Sequence, residues 1–146
     1  MTAAPPRLAR IGLPRFDEPT TRPEIPDERY PERGEALRAR MRERRYDRVV
    51  LWADREHSAG ISFLTGFDPR FEEAILIADA AGGDDPAILV GNECWGMAGA
   101  APLRMRRHLL QDLSLPSQPR DRSRPLREIL ADEGVVRGAR VGAIGW

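Results

Sequence analysis

Lysine is absent from the 146 residues, and all 23 cationic side chains are arginine. That absence excludes Schiff-base chemistry and a phosphate-loop lysine within this chain. The bias reads as compositional, although arginine also offers a fixed fork for carboxylates. There is one cysteine, Cys94, so no internal disulfide and no all-cysteine metal site can form. The two histidines, His57 and His108, lie far apart and match neither H-x-x-x-H nor H-E-x-x-H spacing. No G-x-G-x-x-G or G-x-x-x-x-G-K-[ST] pattern occurs, and Gly82-Gly83 falls between two strand candidates instead of between a strand and a helix, so nucleotide binding is unsupported. No apolar run approaches the roughly 18 residues of a membrane span, and the first residues lack the apolar segment of a secretory signal. A soluble, cytoplasmic protein is the expectation. The 23 acids balance the 23 cations, which argues against long-range steering toward nucleic acid or an anionic membrane.

What is present fits one domain preceded by an arm. A chain of this length buries roughly 68–70% of the surface its unfolded form exposes, enough for an independent core. Residues 1–30 hold Pro5, Pro6, Pro14, Pro19, Pro23 and Pro26, which remove backbone donors and predict an extended, poorly ordered arm. Ile11, Leu13 and Phe16 are its candidate anchors. From Pro31 to about Tyr46, strong helix formers place Leu37 and Met41 on one face and arginines on the other. Without aromatic residues among them, those arginines read as a solvated face.

Val49 to Trp52 form a short apolar run expected to be a buried strand. Ile61, Phe63 and Leu64 then suggest a short helix begun near Asp54 or Ser58 and ended by Gly66, with Pro69 beyond. Ala74–Ala78 and Ala87–Val90 are strands whose connection is too short for a crossover helix, predicting an antiparallel hairpin and therefore a mixed sheet. Cys94 to Ala101 make a small helix, and Met105 to Leu110 an arginine-rich edge strand. Gln111 to Pro125 is a connection, and Leu126, Ile129 and Leu130 mark a last helix stopped by Gly134. Val141–Ile144 is a final strand, and the abrupt end at Trp146 reads as a cut before a continuation.

The densest group of functional side chains lies between Trp52 and Glu73. Asp54, Glu56 and His57 are close enough for a carboxylate-rich metal corner, but an exposed strand-end turn explains the same clustering. Asp54, Glu72 and Glu73 could be nominated for a two-metal nuclease on an RNase H-like sheet, though their spacing is generic. In Phe67-Asp68-Pro69-Arg70-Phe71-Glu72-Glu73, Arg70 could clamp a carboxylate while Phe71 covers the apolar part of a ligand. The competing reading pairs Arg70 with Glu72 or Asp68 at the surface and puts Phe71 in the core. Cys94 has no assignable base and reads as a packing thiol.

The ordered succession E-A-L-R-A-R-M-R-E-R, V-V-L-W-A-D, F-L-T-G-F at Phe63 to Phe67, A-I-L-I-A, A-I-L-V-G, R-P-L-R-E-I-L-A-D-E-G and R-V-G-A-I-G-W resembles the N-terminal domain of the creatinase, prolidase and aminopeptidase P family of pita-bread metallopeptidases. The likeness covers nearly all of residues 30–146. It implies a three-layer α/β/α domain, residues 31–146, with a mixed, RNase H-like sheet. In that family the metal-binding acids and histidine and the catalytic histidines belong to a C-terminal metallohydrolase domain, which this chain lacks. The resemblance therefore implies no catalytic or metal-binding residue and no cofactor here; divalent metal ions would belong to the absent domain, and this chain alone would be inactive. The implied role is assembly, as a homodimer or against a catalytic domain of the same family, and gating of substrate access in a Xaa-Pro peptidase or creatinase-type hydrolase. His57, Phe63, Arg70, Phe71 and Glu72 are the candidates for the entrance or interface. Phe63 stands where the family commonly has tyrosine, which removes any contact that needs the hydroxyl. A free-standing protein-binding module with the same fold is the alternative.

Overall fold

The computed structural model describes residues 8–14, 20–21, 24–70 and 72–145. Residues 8–14 form no helix or strand, and Leu8, Ile11 and Leu13 are exposed; Phe16 lies outside the described residues. The ordered elements run α1 (Arg29–Glu43), β1 (Arg48–Ala53), α2 (Ala59–Thr65), β2 (Ala74–Asp79), β3 (Ala87–Val90), α3 (Cys94–Gly99), β4 (Arg106–Leu109), a 3-10 turn (Gln111–Leu113), α4 (Leu126–Asp132) and β5 (Val141–Ile144).

The strands make one mixed sheet in the order β4-β3-β2-β1-β5. β2 pairs antiparallel with both β1 and β3, as the short hairpin linker predicts. β4 joins β3 and β5 joins β1 in parallel. All four residues of β3 and the first five of β2 are buried. Such strands need cover on both faces, and alternation of side chains divides the core accordingly. Leu51, Leu76 and Ile88 face Leu37 of α1, Ile61 and Leu64 of α2, and Cys94 and Ala98 of α3. Ile75, Ile77 and Leu89 face Leu126, Ile129 and Leu130 of α4, with Leu110 and Leu113 around the 3-10 turn. The result is the expected three-layer α/β/α arrangement.

Two helix ends show which stop signals can be read from sequence. At α4, the Gly134 N–H donates to the Ala131 carbonyl and the Val135 N–H to the Leu130 carbonyl, with Gly134 at φ +76°. This is a Schellman end carrying its usual glycine. α1 closes by the same bonds, Arg45 N–H to Arg42 and Tyr46 N–H to Met41, but its left-handed residue is Arg45, at φ +58°. The helix therefore stops at Glu43, short of the Tyr46 that propensity alone predicts. The turn brings Tyr46 against Met41, Val49 and Ala78.

Left-handed backbone costs a non-glycine residue about 1–2 kcal/mol. Because Arg45 is exposed, Arg45→Gly is expected to stabilise the fold by about 1 kcal/mol, somewhat reduced by the greater entropy of the unfolded glycine chain. Urea denaturation of the two proteins checks this; a loss of stability would mean that the Arg45 side chain contributes more than its backbone costs.

Candidate functional site

At one end of the sheet the register aligns Ala53, Ala74, Val90 and Leu109 across four strands. The loops leaving β1, entering β2 and leaving β3 and β4 therefore gather at this end. In the first loop, Asp54 Oδ1 accepts the backbone N–H of Glu56 at 2.8 Å and of His57 at 2.7 Å, and stands 3.0 Å from His57 Nδ1. Desolvation works to raise the Asp54 carboxyl, but these donors outweigh it and hold the group below its ordinary value. Asp54 thus fixes the exit of β1, and His57 sits exposed at its surface.

The second loop is set by α2. Thr65 Oγ1 donates to the Ile61 carbonyl and accepts the Phe67 N–H, while Gly66 turns the chain at φ +72°. A Cβ at Gly66 would stand 2.7 Å from the Pro102 ring, so the glycine serves both the turn and the contact. Phe67 and Pro69 are buried. Asp68 Oδ1 accepts the Arg70 N–H at 2.9 Å, and Arg70 adopts φ +61°. Arg55 and Ser58 from the first loop and Asp68 and Arg70 from the second line an open polar depression of about 450 Å³.

The adjacent Glu72 is directed inward. It is 3% exposed, and its carboxylate accepts the N–H of Glu93 at 3.1 Å and of Cys94 at 2.8 Å, satisfying orphan donors at the start of α3. Gly91 passes so close that a Cβ there would meet Glu72 Oε1 at 2.6 Å and Ser114 Oγ at 2.7 Å. Both carboxylate oxygens of Glu93 are buried, and among the described residues no hydrogen-bond partner reaches them. Burial, then the neighbouring Glu93 carboxyl, raise the Glu72 carboxyl above its ordinary value of about 4.5, and the nearby Glu72 carboxyl holds Glu93 below it. Cys94 packs beneath the pair, fully buried, with Sγ 3.0 Å from the Pro69 carbonyl. Burial, reinforced by Glu72, pushes its thiol strongly up, which suits a packing thiol and not a nucleophile.

The four candidate side chains among the described residues, His57, Phe63, Arg70 and Glu72, therefore do not form one cluster. Arg70 faces the polar depression, and His57 lies on the neighbouring turn next to Ser58. Phe63 is 56% exposed on the α1 side of α2, with the Arg33 guanidinium 4.3 Å from its ring centroid and bonded to its carbonyl. Glu72 points into the α3 cap. Phe71 lies outside the described residues. Among the described residues, no three His, Cys, Asp or Glu side chains converge as a metal set, and no helix is long and apolar enough to cross a membrane.

The 111–123 connection also holds a polar network that sequence reasoning missed. Buried Gln111 donates through Nε2 to Asn92 Oδ1 and accepts the N–H of Arg122 and Ser123 through Oε1. Ser114 Oγ accepts the Asn92 N–H, and Arg120 donates to the Asp112 and Ser114 carbonyls. Most of these partners are 11 to 22 residues apart, so no local pattern announced them.

The opposite shifts of Glu72 and Glu93 have a testable sign. Raised in the folded chain, Glu72 contributes stability that is fully present below its unfolded value, near 4.5, and is lost as pH rises through its raised folded value. Lowered Glu93 acts oppositely, its contribution being lost as pH falls through its folded value. Glu72→Gln keeps an acceptor for α3 without ionising. The variant is expected to flatten the decline in Tm above about pH 4.5. Thermal denaturation across pH measures this, and an unchanged decline in the variant would assign it to another group.

No protein-family model matches the chain, and no curated protein matches it. Among solved structures, the chain is similar to the N-terminal, creatinase/prolidase-like domain of a Corynebacterium diphtheriae protein described as a metallopeptidase, with 17% identity over 81% of this chain and 96% of that one and a TM-score of 0.48. It is also similar to a proline dipeptidase from Streptococcus agalactiae, with 15% identity over 78% of this chain and 93% of that one and a TM-score of 0.45.

Proposed function

We propose that the domain is a non-catalytic part of a creatinase- or prolidase-type hydrolase, serving in subunit assembly and in gating substrate access to a catalytic domain. One observation carries this reading: the acids at the strand ends are engaged in holding the fold. Asp54 ties the β1 exit turn, Glu72 caps α3, and Glu73 stands 3.3 Å from the Trp52 indole nitrogen. The ordered elements that carry the sequence resemblance also fall on the strands and helices of the α/β/α domain.

The rim formed by Arg55, Ser58, Asp68 and Arg70 is the gating surface in this reading. Two guanidinium groups there can hold the carboxylate of a short peptide or of an amidino-type substrate, and Asp68 can meet its cationic end. The Asp68 bond and the left-handed backbone at Arg70 orient the loop before a ligand arrives, which lowers the ordering cost of binding. The rim's contribution is to position substrate for chemistry performed on the partner domain.

The chain alone, supplied with divalent metal and Xaa-Pro dipeptides, is expected to give no hydrolysis above the blank; a metal-dependent rate proportional to chain concentration overturns the non-catalytic assignment. In a protein that joins this domain to a catalytic domain, Arg70→Ala is expected to lower kcat/KM about tenfold with Tm unchanged. Unchanged kcat/KM removes Arg70 from the gate.

A further inference from the structure

The most exposed large apolar side chains among the described residues belong to the segment before α1. Leu8, Ile11 and Leu13 are 105%, 79% and 86% exposed. Ile11 and Leu13 stand two positions apart, so an extended backbone points both to the same side. Between them, a Cβ at Gly12 would meet nothing within 4 Å. Arg10 is the one charge in residues 8–14, and the sequence from Arg7 to Arg15 contains no acid.

The domain offers an apolar cleft beside the root of this segment. Its volume is about 320 Å³, and Leu76 and Ala78 of β2, Leu37 of α1, Leu64 of α2, Pro86 and Pro102 are among its lining. The chain enters α1 through bonds from the Arg29 N–H to the Pro26 carbonyl and from the Tyr30 N–H to the Asp27 carbonyl. Buried Tyr30 and Pro102 both lie against Gly66, so this entry adjoins the cleft. Four charged residues also line it. Arg38 pairs with Glu35 and Arg104 with Asp85, each at 2.9 Å. The fourth, Asp84, is exposed and has no ion-pair or hydrogen-bond partner among the described residues.

We propose that the segment before α1 closes over this cleft as a strap, with Ile11 and Leu13 inside it and Arg10 against Asp84. Burial of the two aliphatic side chains drives closure, and the single uncompensated acid of the rim meets the single charge of the strap. The stretch from Leu13 to Arg29 can extend to roughly 50 Å, well beyond the radius of gyration of about 13 Å for a domain of this size. The tether also selects the occupant. A segment of the same chain is present at an effective concentration of about millimolar, whereas that of a second copy is present only at the protein concentration. Closed, the strap ties α1 and α2 to the β2–β3 hairpin across the cleft they share. It is separate from the Arg70 rim and holds whether or not the domain serves a hydrolase.

The probe is a nitroxide attached to Gly12→Cys in the whole chain, a position that points away from the cleft when Ile11 and Leu13 enter it. Cys94, buried and with its thiol pushed up, does not compete for the label. The expected result is a loss of methyl NMR intensity greatest at Leu37, Leu64 and Leu76 and least at Leu126 and Ile129 beyond the sheet. Ile11→Ser together with Leu13→Ser is expected to abolish that loss and to lower the Tm of the unlabelled chain. Asp84→Arg is expected to reduce the loss, while Asp121→Arg, in the 111–123 connection, leaves it intact. Circular dichroism establishes that the variants are folded. Uniform intensities, a loss centred on another surface, an unchanged Tm in the double variant or insensitivity to Asp84→Arg would each overturn the proposal. So would a loss that arises only when the nitroxide chain is mixed with an isotope-labelled chain lacking it, which would assign the cleft to a second copy. None of these readouts depends on Xaa-Pro hydrolysis, so failure here is separate from failure of the hydrolase reading.

Discussion

Strands β2 and β3 are buried on both faces, and this requirement determines the arrangement around them. A sheet whose central strands are apolar above and below cannot leave either side to water. Three helices cover one face, and α4 with the 3-10 turn covers the other. The cover is completed by long-range tethers. Arg48 at the start of β1 donates to the Glu133 carbonyl at the end of α4 and pairs with Asp79 of β2. These bonds connect the last helix to the central strands across 85 residues of sequence.

Apolar periodicity and glycine placement made much of this architecture legible. The runs at Val49–Trp52, Ala74–Ala78 and Ala87–Val90 are strands because uninterrupted aliphatic residues fit an interior sheet. Asp79 to Pro86 contains enough turn chemistry to reverse the chain but too few residues for a crossover. Gly66 and Gly134 announced helix ends because left-handed backbone favours glycine. Arg45 performs that task without the glycine, so the end of α1 was misplaced.

The strand-end surface was less legible because adjacent residues diverge. Arg70 and Glu72 lie two positions apart and read as parts of one clamp, yet Arg70 meets solvent and Glu72 enters the α3 cap. Neither the proximity of Glu93 nor the Gln111 network is encoded by local spacing; both depend on strands β2, β3 and β4 ending at the same level. Composition identified the loops as polar and punctuated, but only the assembled sheet distinguishes the side chains that face solvent from those that hold loops together. The sequence resemblance to pita-bread N-terminal domains supplied the order of elements and did not resolve those directions.

The burial of Cys94 has a practical consequence. As the chain's sole thiol, fully buried between the Pro69 carbonyl and the Glu72–Glu93 pair, it is shielded from electrophiles until the α3 cap separates from the Pro69 loop. Its high pKa further suppresses the reactive thiolate at neutral pH. Alkylation of the native chain would therefore proceed through rare openings. This one atom makes the protein its own clock for the separation of two loops, with no reporter group added.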